Sequence, residues 1–189
     1  MINKIYLNPG HASKIKKIFH ANKLLPNIKL AKFLDVAFYA ALRKEAINAK
    51  YSQLNEPMKY RYSEAKTPKI LDKFLDSKKF KDFVFKITGK KIRKVNGNLW
   101  SFGWKDYTML RDKKIEKPGF DLIIDFTDLW NEDAKGFVVY VDETGQHNKL
   151  FSIGTILTIV QRNKNVKRYA QYVNNLAGKN RRYFYFGTF

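Results

Sequence analysis

The 189-residue chain has no cysteine and only three histidines, His11, His20 and His147. The first absence excludes a disulfide framework, thiolate zinc sites and iron–sulfur clusters. The second constrains most of what remains. A non-haem Fe(II) centre needs two imidazoles and one carboxylate on one face of the metal, with positions left open for oxygen and cosubstrate. His11 and His20 fall in a helical N-terminal half, and His147 in the turn Thr144-Gly145-Gln146-His147-Asn148. None falls on a segment that reads as a barrel strand, so the ligand inventory leads us to expect no metal and no cofactor.

Long apolar runs are also missing. Nothing approaches the ~20 apolar residues of a membrane span, and the opening Met-Ile-Asn-Lys-Ile-Tyr has no signal-peptide core. A cytoplasmic protein without membrane contact is the expectation. There is no phosphate-cradling glycine loop, no Ser-His-Asp arrangement and no nucleophilic cysteine. Internal repeats, low-complexity tracts and flexible linkers are absent too, so residues 1–189 read as a single domain.

Acidic residues are the third scarcity. Seventeen Asp and Glu face 37 Lys and Arg, a formal net charge of +20. The excess is uneven: residues 1–100 carry 23 basic against 7 acidic side chains, residues 101–143 carry 6 against 10, and residues 144–189 carry 8 against none. A basic field of this size gathers polyanions through counterion release, whatever the fold. A Lys- and Ile-rich compositional bias is the other reading. The acid-free end of the chain favours a partner, namely RNA, the ribosome or an acidic protein. The candidate contacts are Lys78, Lys79, Lys81, Lys90, Lys91, Arg93 and Lys94, then Lys164, Lys167, Arg168 and Lys179.

What is present is a folding sequence, 44% hydrophobic and 15% aromatic. Ile15, Ile18 and Phe19 share a face in a helix over 12–22, which Pro26 ends. Ile28–Leu34 reads as a short strand, Asp35 as the N-cap of a helix from Val36 to about Lys50, and 51–66 as one strand within loops. Thr67-Pro68 predicts a cap and N1 proline for a helix over 69–75. Ser77 opens another with Phe80, Phe83, Val84 and Ile87 inward, and Gly89 terminates it. After the turn signal Asn96-Gly97-Asn98 the pattern becomes strand-like. Strands are expected at 99–104, 108–111, 121–126, 137–142, 153–160, 166–172 and 183–189. The class is therefore α+β, with a mainly helical layer over 1–98 and a β-barrel core over 99–189.

Two clusters allow more than one reading. Asp121, Asp125, Asp128, Glu132 and Asp133 form an acidic group that could hold a cation or flank a cleft as paired carboxylates. Its spacing matches no calcium loop, and solvated loop charge is preferred. The tail Arg181-Arg182-Tyr183-Phe184-Tyr185-Phe186 resembles a stacking platform for single-stranded RNA, but a barrel strand also explains its alternating aromatics.

Several blocks carry a family resemblance: Asp106-Tyr107-Thr108-Met109-Leu110, Asp125-Phe126-Thr127 with Trp130, and Tyr172-Val173-Asn174 with Leu176-Ala177-Gly178. With Phe19–Ile28, Lys32–Asp35 and Ser77–Gly89 ahead of them, nearly the whole chain resembles the prolyl-hydroxylase-like Fe(II)/2-oxoglutarate oxygenases. The resemblance implies a double-stranded β-helix, a jelly-roll-like barrel, backed by N-terminal helices. It also implies an Fe(II)- and 2-oxoglutarate-dependent protein hydroxylase. The family's metal-binding His, carboxylate and second His would fall at Arg111, Lys113 and Asn175, where the ligands are lost. Cations at roughly 4–5 Å would each repel Fe(II) by several kcal/mol at an effective dielectric near 20. Arg111 is expected to replace the metal, held by Asp106 or Glu116. Arg181 and Arg182 are the nearest candidates for the basic residue that would meet 2-oxoglutarate or another anion, the other reading being exposed turn residues. Two functions follow: a non-catalytic oxygenase-fold module that binds RNA, the ribosome or another acidic partner, or an active hydroxylase with an unrecognised metal site.

Overall fold

The computed structural model describes residues 1–110 and 117–189. Its α-helices are α1 (Pro9–Phe19), α2 (Val36–Ile47), α3 (Lys69–Asp76) and α4 (Lys78–Thr88). Their starts follow from local chemistry. The Asn8, Asp35 and Ser77 side chains accept from the amides of Gly10, Phe38 and Phe80, which would otherwise have no partner in the first turn. Gly89 closes α4 with φ at 71°, a left-handed conformation that costs glycine little. The expected cap at Thr67 does not form. Its hydroxyl donates instead to the Gly97 carbonyl at 2.8 Å, and Pro68 starts α3 without a side-chain cap.

The strands are β1 (Asn27–Ala31), β2 (Ser52–Glu56), β3 (Tyr60–Ala65), β4 (Asn96–Phe102), β5 (Tyr107–Thr108), β6 (Gly119–Asp125), β7 (Val138–Val141), β8 (His147–Lys149), β9 (Ile156–Arg162), β10 (Lys167–Ala170) and β11 (Arg182–Thr188). All pairings are antiparallel. The major sheet runs β1-β9-β6-β11-β4-β3-β2, with β5 also on β3, and the minor sheet runs β10-β7-β8. This is an α+β fold, a double-stranded β-helix backed by helices.

Three expectations change. The span 1–98 holds all four α-helices but also β1, β2, β3 and the start of β4, so the barrel recruits strands from both halves. The stretch 51–66 forms a hairpin of two strands, not one. Asn96-Gly97-Asn98 is strand rather than turn, because Gly97 pairs with Gly187. A Cβ on Gly97 would lie 2.3 Å from the Phe186 carbonyl oxygen, so the glycine serves close strand approach.

The central strands are buried on both faces, and period-2 alternation sorts their side chains. Leu99, Leu122, Ile124, Leu157, Ile159 and Tyr185 join the core under the helices. Phe102, Ile123, Val160, Phe184 and Phe186 join a second core inside the barrel, with Val138, Tyr140 and Ala170 of the minor sheet.

Candidate functional site

On the barrel-facing side of β3, β4 and β11, alternation brings five rings together. Tyr62 stacks on Phe102 at 5.4 Å, Trp100 on Phe186 at 4.7 Å and Phe102 on Phe184 at 5.7 Å between centroids. Such offset contacts stabilise beyond the apolar area they bury. The tail 183–186 is therefore barrel strand. Phe184, Tyr185 and Phe186 are buried, and no exposed stacking platform forms there.

Next to this wall lies a cavity of about 390 Å³. Tyr60, Tyr62, Trp100 and Phe186 line it from the major sheet, and Lys167, Arg168, Tyr169 and Ala170 from β10. Lys59, Thr108 and Met109 contribute to its rim. The Thr108 hydroxyl accepts from the Ala170 amide at 2.7 Å and so ties β5 to β10 at the barrel edge. Every charged side chain that lines the cavity, among the described residues, is a cation.

Arg168 is fixed by its surroundings. Its guanidinium lies 4.8 Å from the Phe186 ring centroid and pairs with the fully buried Asp121. Arg162 Nε donates to the same carboxylate at 2.9 Å and its Nη1 to the Lys117 carbonyl at 2.9 Å. The Tyr140 hydroxyl donates to Asp121 Oδ2 at 2.9 Å. Burial first, and then the Asp121 charge, raise the Tyr140 pKa well above the ordinary tyrosine value, which keeps this phenol a donor.

Two more Arg–Asp pairs frame the barrel. Arg182 pairs with Asp125 and donates to the Gly136 and Ser152 carbonyls at 2.8 and 2.6 Å. Asp125 also accepts from the amides of Thr127 and Gly154. Burial pushes its carboxyl up, while Arg182 and the Thr127 amide pull it down. Arg181 donates to Ser101 and Ser63 and pairs with Asp106, which Arg61 also approaches at 3.4 Å.

The sequence expectations distribute as follows. Arg111, Lys113 and Glu116 lie outside the described residues. Asn175 is exposed in a 3-10 turn (Asn175–Ala177) and does not line the cavity. Neither Arg181 nor Arg182 lines it; both pair with internal carboxylates, Arg182 buried and Arg181 half-buried. Arg168 of β10 lines it instead. Asp106 is already engaged by Arg181 and Arg61. Asp121 and Asp125 are internal counter-charges rather than solvated loop charge or a cation site, whereas Asp128 is exposed beside Arg43 and Asp133 is exposed beside Lys135.

The expected polyanion contacts also separate. Lys78, Lys79, Lys90, Lys91 and Arg93 are exposed. Lys81 pairs with Asp76 at 2.8 Å, and Lys94 sits near the α3 carboxylates Asp72 and Asp76. Lys164 is exposed between β9 and β10 and Lys179 between the 3-10 turn Asn175–Ala177 and β11, while Lys167 and Arg168 line the cavity.

Comparison with solved structures establishes the fold. A Pseudomonas putida prolyl-4-hydroxylase aligns with TM-score 0.68 and 10% identity, over 93% of this chain and 97% of that one. A Trichoplax adhaerens prolyl hydroxylase in complex with a hypoxia inducible factor oxygen degradation domain peptide fragment aligns with TM-score 0.69 and 9% identity, over 95% and 90%. A 2OG-Fe(II) oxygenase family oxidoreductase from Burkholderia pseudomallei aligns with TM-score 0.68 and 10% identity, over 96% and 91%. The architecture is thus that of the 2-oxoglutarate/Fe(II) oxygenases. No family model matches the sequence. No curated protein matches it either.

Among the described residues the side chains do not fit that family's metal. His11 lies on α1 against Tyr6, and His20 caps the same helix beside Phe19, both on the helix side of the major sheet. His147 is exposed on β8, its Nδ1 3.1 Å from the Tyr169 hydroxyl. Two imidazoles cannot converge from these positions. Among the described residues no group of three His, Cys, Asp or Glu could hold a metal ion.

Proposed function

We propose that this chain is a non-catalytic protein of oxygenase fold that binds RNA, free or in the ribosome, through exposed cations on and after α4, in the cytoplasm. The carrying observation is the exposed set Lys78, Lys79, Lys90, Lys91 and Arg93. The α3 carboxylates lie beside Lys81 and Lys94 instead. Each phosphate met by such a cation releases counterions, so affinity comes without sequence reading. Among the described residues no helix is long and apolar enough to cross a membrane, and the absence of cysteine suits a reducing compartment.

Fold likeness is the argument for an active hydroxylase, but fold does not carry function, and the dispersed histidines support the non-catalytic reading. The test is fluorescence anisotropy of a short single-stranded RNA against salt concentration. Binding is expected to weaken with salt, each phosphate contact contributing about −0.7 to the slope of log K against log salt. Replacing the five exposed cations by Gln should weaken binding to all RNA sequences alike. No binding at low salt, or binding indifferent to salt, overturns the reading.

A further inference from the structure

The barrel cavity carries a second function, independent of the helix-side cations. We propose that it binds a planar aromatic ring bearing a phosphate or carboxylate, a ligand of nucleotide size.

Three features converge on that chemistry. The cavity volume of about 390 Å³ falls within the range of small-molecule sites, roughly 300–1,000 Å³. One wall is a set of aromatic faces, with Trp100 stacked on Phe186 at 4.7 Å and set against Tyr62 at 4.8 Å. Trp100, Tyr60 and Tyr62 are each half-buried, so part of their surface stays open on the cavity side. A flat ring stacks on such faces, and each aromatic contact to a base contributes about 1–3 kcal/mol.

The charge across the cavity supplies the other half of the recognition. Lys59, Lys167 and Arg168 line it, and no carboxylate does among the described residues. These cations already have partners. Lys59 pairs with Glu56, and Arg168 with Asp121. Those pairings hold the cations in place, and the forked guanidinium of Arg168, pinned against the Phe186 face, is suited to an oxyanion at the cavity floor. An aliphatic dicarboxylate would meet the cations but leave the rings unused, whereas a neutral ring would leave the cations unused. A ring and an anion in one molecule use both.

A nucleotide supplies this chemistry either free or at the end of an RNA chain, and the experiment separates the two. Calorimetric titration with AMP, GMP, CMP and UMP is compared with adenosine, ribose 5-phosphate and 2-oxoglutarate. A 5′-phosphorylated RNA oligonucleotide and its 5′-hydroxyl counterpart are then titrated into the variant lacking the five helix-side cations. At least one nucleotide, or the phosphorylated RNA end, should bind about tenfold or more tightly than adenosine or ribose 5-phosphate. Trp100→Leu and the double variant Lys59→Gln/Lys167→Gln should each remove that preference. Circular dichroism identifies any unfolded variant, and the lysine pair, which is outside the packed core, remains informative if Trp100→Leu fails to fold. Equal affinity for ribose 5-phosphate or 2-oxoglutarate, or no binding by any probe at millimolar concentration, overturns the proposal. Loss of RNA binding in the helix-side variant with nucleotide binding intact leaves the cavity assignment standing.

Discussion

The guanidinium of Arg182 and the carboxylate of Asp125 form an ion pair inside the barrel, with side-chain exposures of 2% and 0%. Each also has backbone partners, Gly136 and Ser152 carbonyls for the cation, Thr127 and Gly154 amides for the anion. Removing either partner strands a buried charge. Arg182→Met or Asp125→Leu alone should cost about 3–5 kcal/mol. At this chain length that lowers the melting temperature by roughly 6–20 °C. The double replacement should cost less than the sum of the two, as a double-mutant cycle by thermal denaturation would show.

Asp121 serves two guanidiniums and a phenol at once, so its removal should affect folding and cavity together. Asp121→Asn is expected to lower the melting temperature by a similar amount and to free Arg168 from its fixed position. The readout that a purely structural role would not move is selectivity. In a folded Asp121→Asn sample, the ratio of nucleotide to ribose 5-phosphate affinity should fall, because the cation no longer meets ring and anion in one geometry.

Acid sensitivity has a local source in the β7–β8 turn. The Thr144 hydroxyl, the Asn148 amide and the backbone amides of Gln146 and Thr144 hold the Asp142 carboxyl below the ordinary carboxylate range. A carboxyl lowered in the folded state stabilises the fold above its unfolded pKa, near 3.9, and that contribution is lost as pH falls through the folded value. Asp142→Asn should therefore flatten the fall in melting temperature below about pH 4 relative to the parent chain. An unchanged pH profile would mean that the turn contributes nothing to acid stability.

Recreating the family's ligand set at the positions aligned from sequence should fail. Arg111→His, Lys113→Asp and Asn175→His together place one new imidazole on an exposed 3-10 turn outside the cavity lining. The expectation is no Fe(II) uptake by equilibrium dialysis. Tight uptake would show that the 175 position does reach the cavity.

The sequence made local structure legible and left the site largely hidden. Ser77, Asp35 and Gly89 announced helix ends because caps act within one turn, and the even-odd alternation of Phe184, Tyr185 and Phe186 announced a two-sided strand. The β2–β3 hairpin was read as one strand because its tight link, Pro57-Met58-Lys59, puts Met58 at a φ of 60° with none of the usual turn residues at that position. Strand β8 was missed because three polar residues have no apolar alternation to show. Gly97 signalled a turn by composition, while its reason is the approach of Gly187 across 90 residues. The cavity is assembled from the β2–β3 hairpin, β4, β5, β7, β10 and β11, segments far apart in sequence, so no single motif could reveal it. Arg168 was read as surface charge for the same reason: Asp121, the residue that turns it inward, is 47 positions away.

The central claim is an oxygenase barrel without oxygenase metal chemistry, and titration of the purified chain with Mn(II), followed by electron paramagnetic resonance, tests it most directly. With or without 2-oxoglutarate, the free Mn(II) signal should persist undiminished, since two imidazoles cannot meet in the barrel. Loss of one equivalent of signal, reversed by a chelator and sharpened by 2-oxoglutarate, would contradict the account.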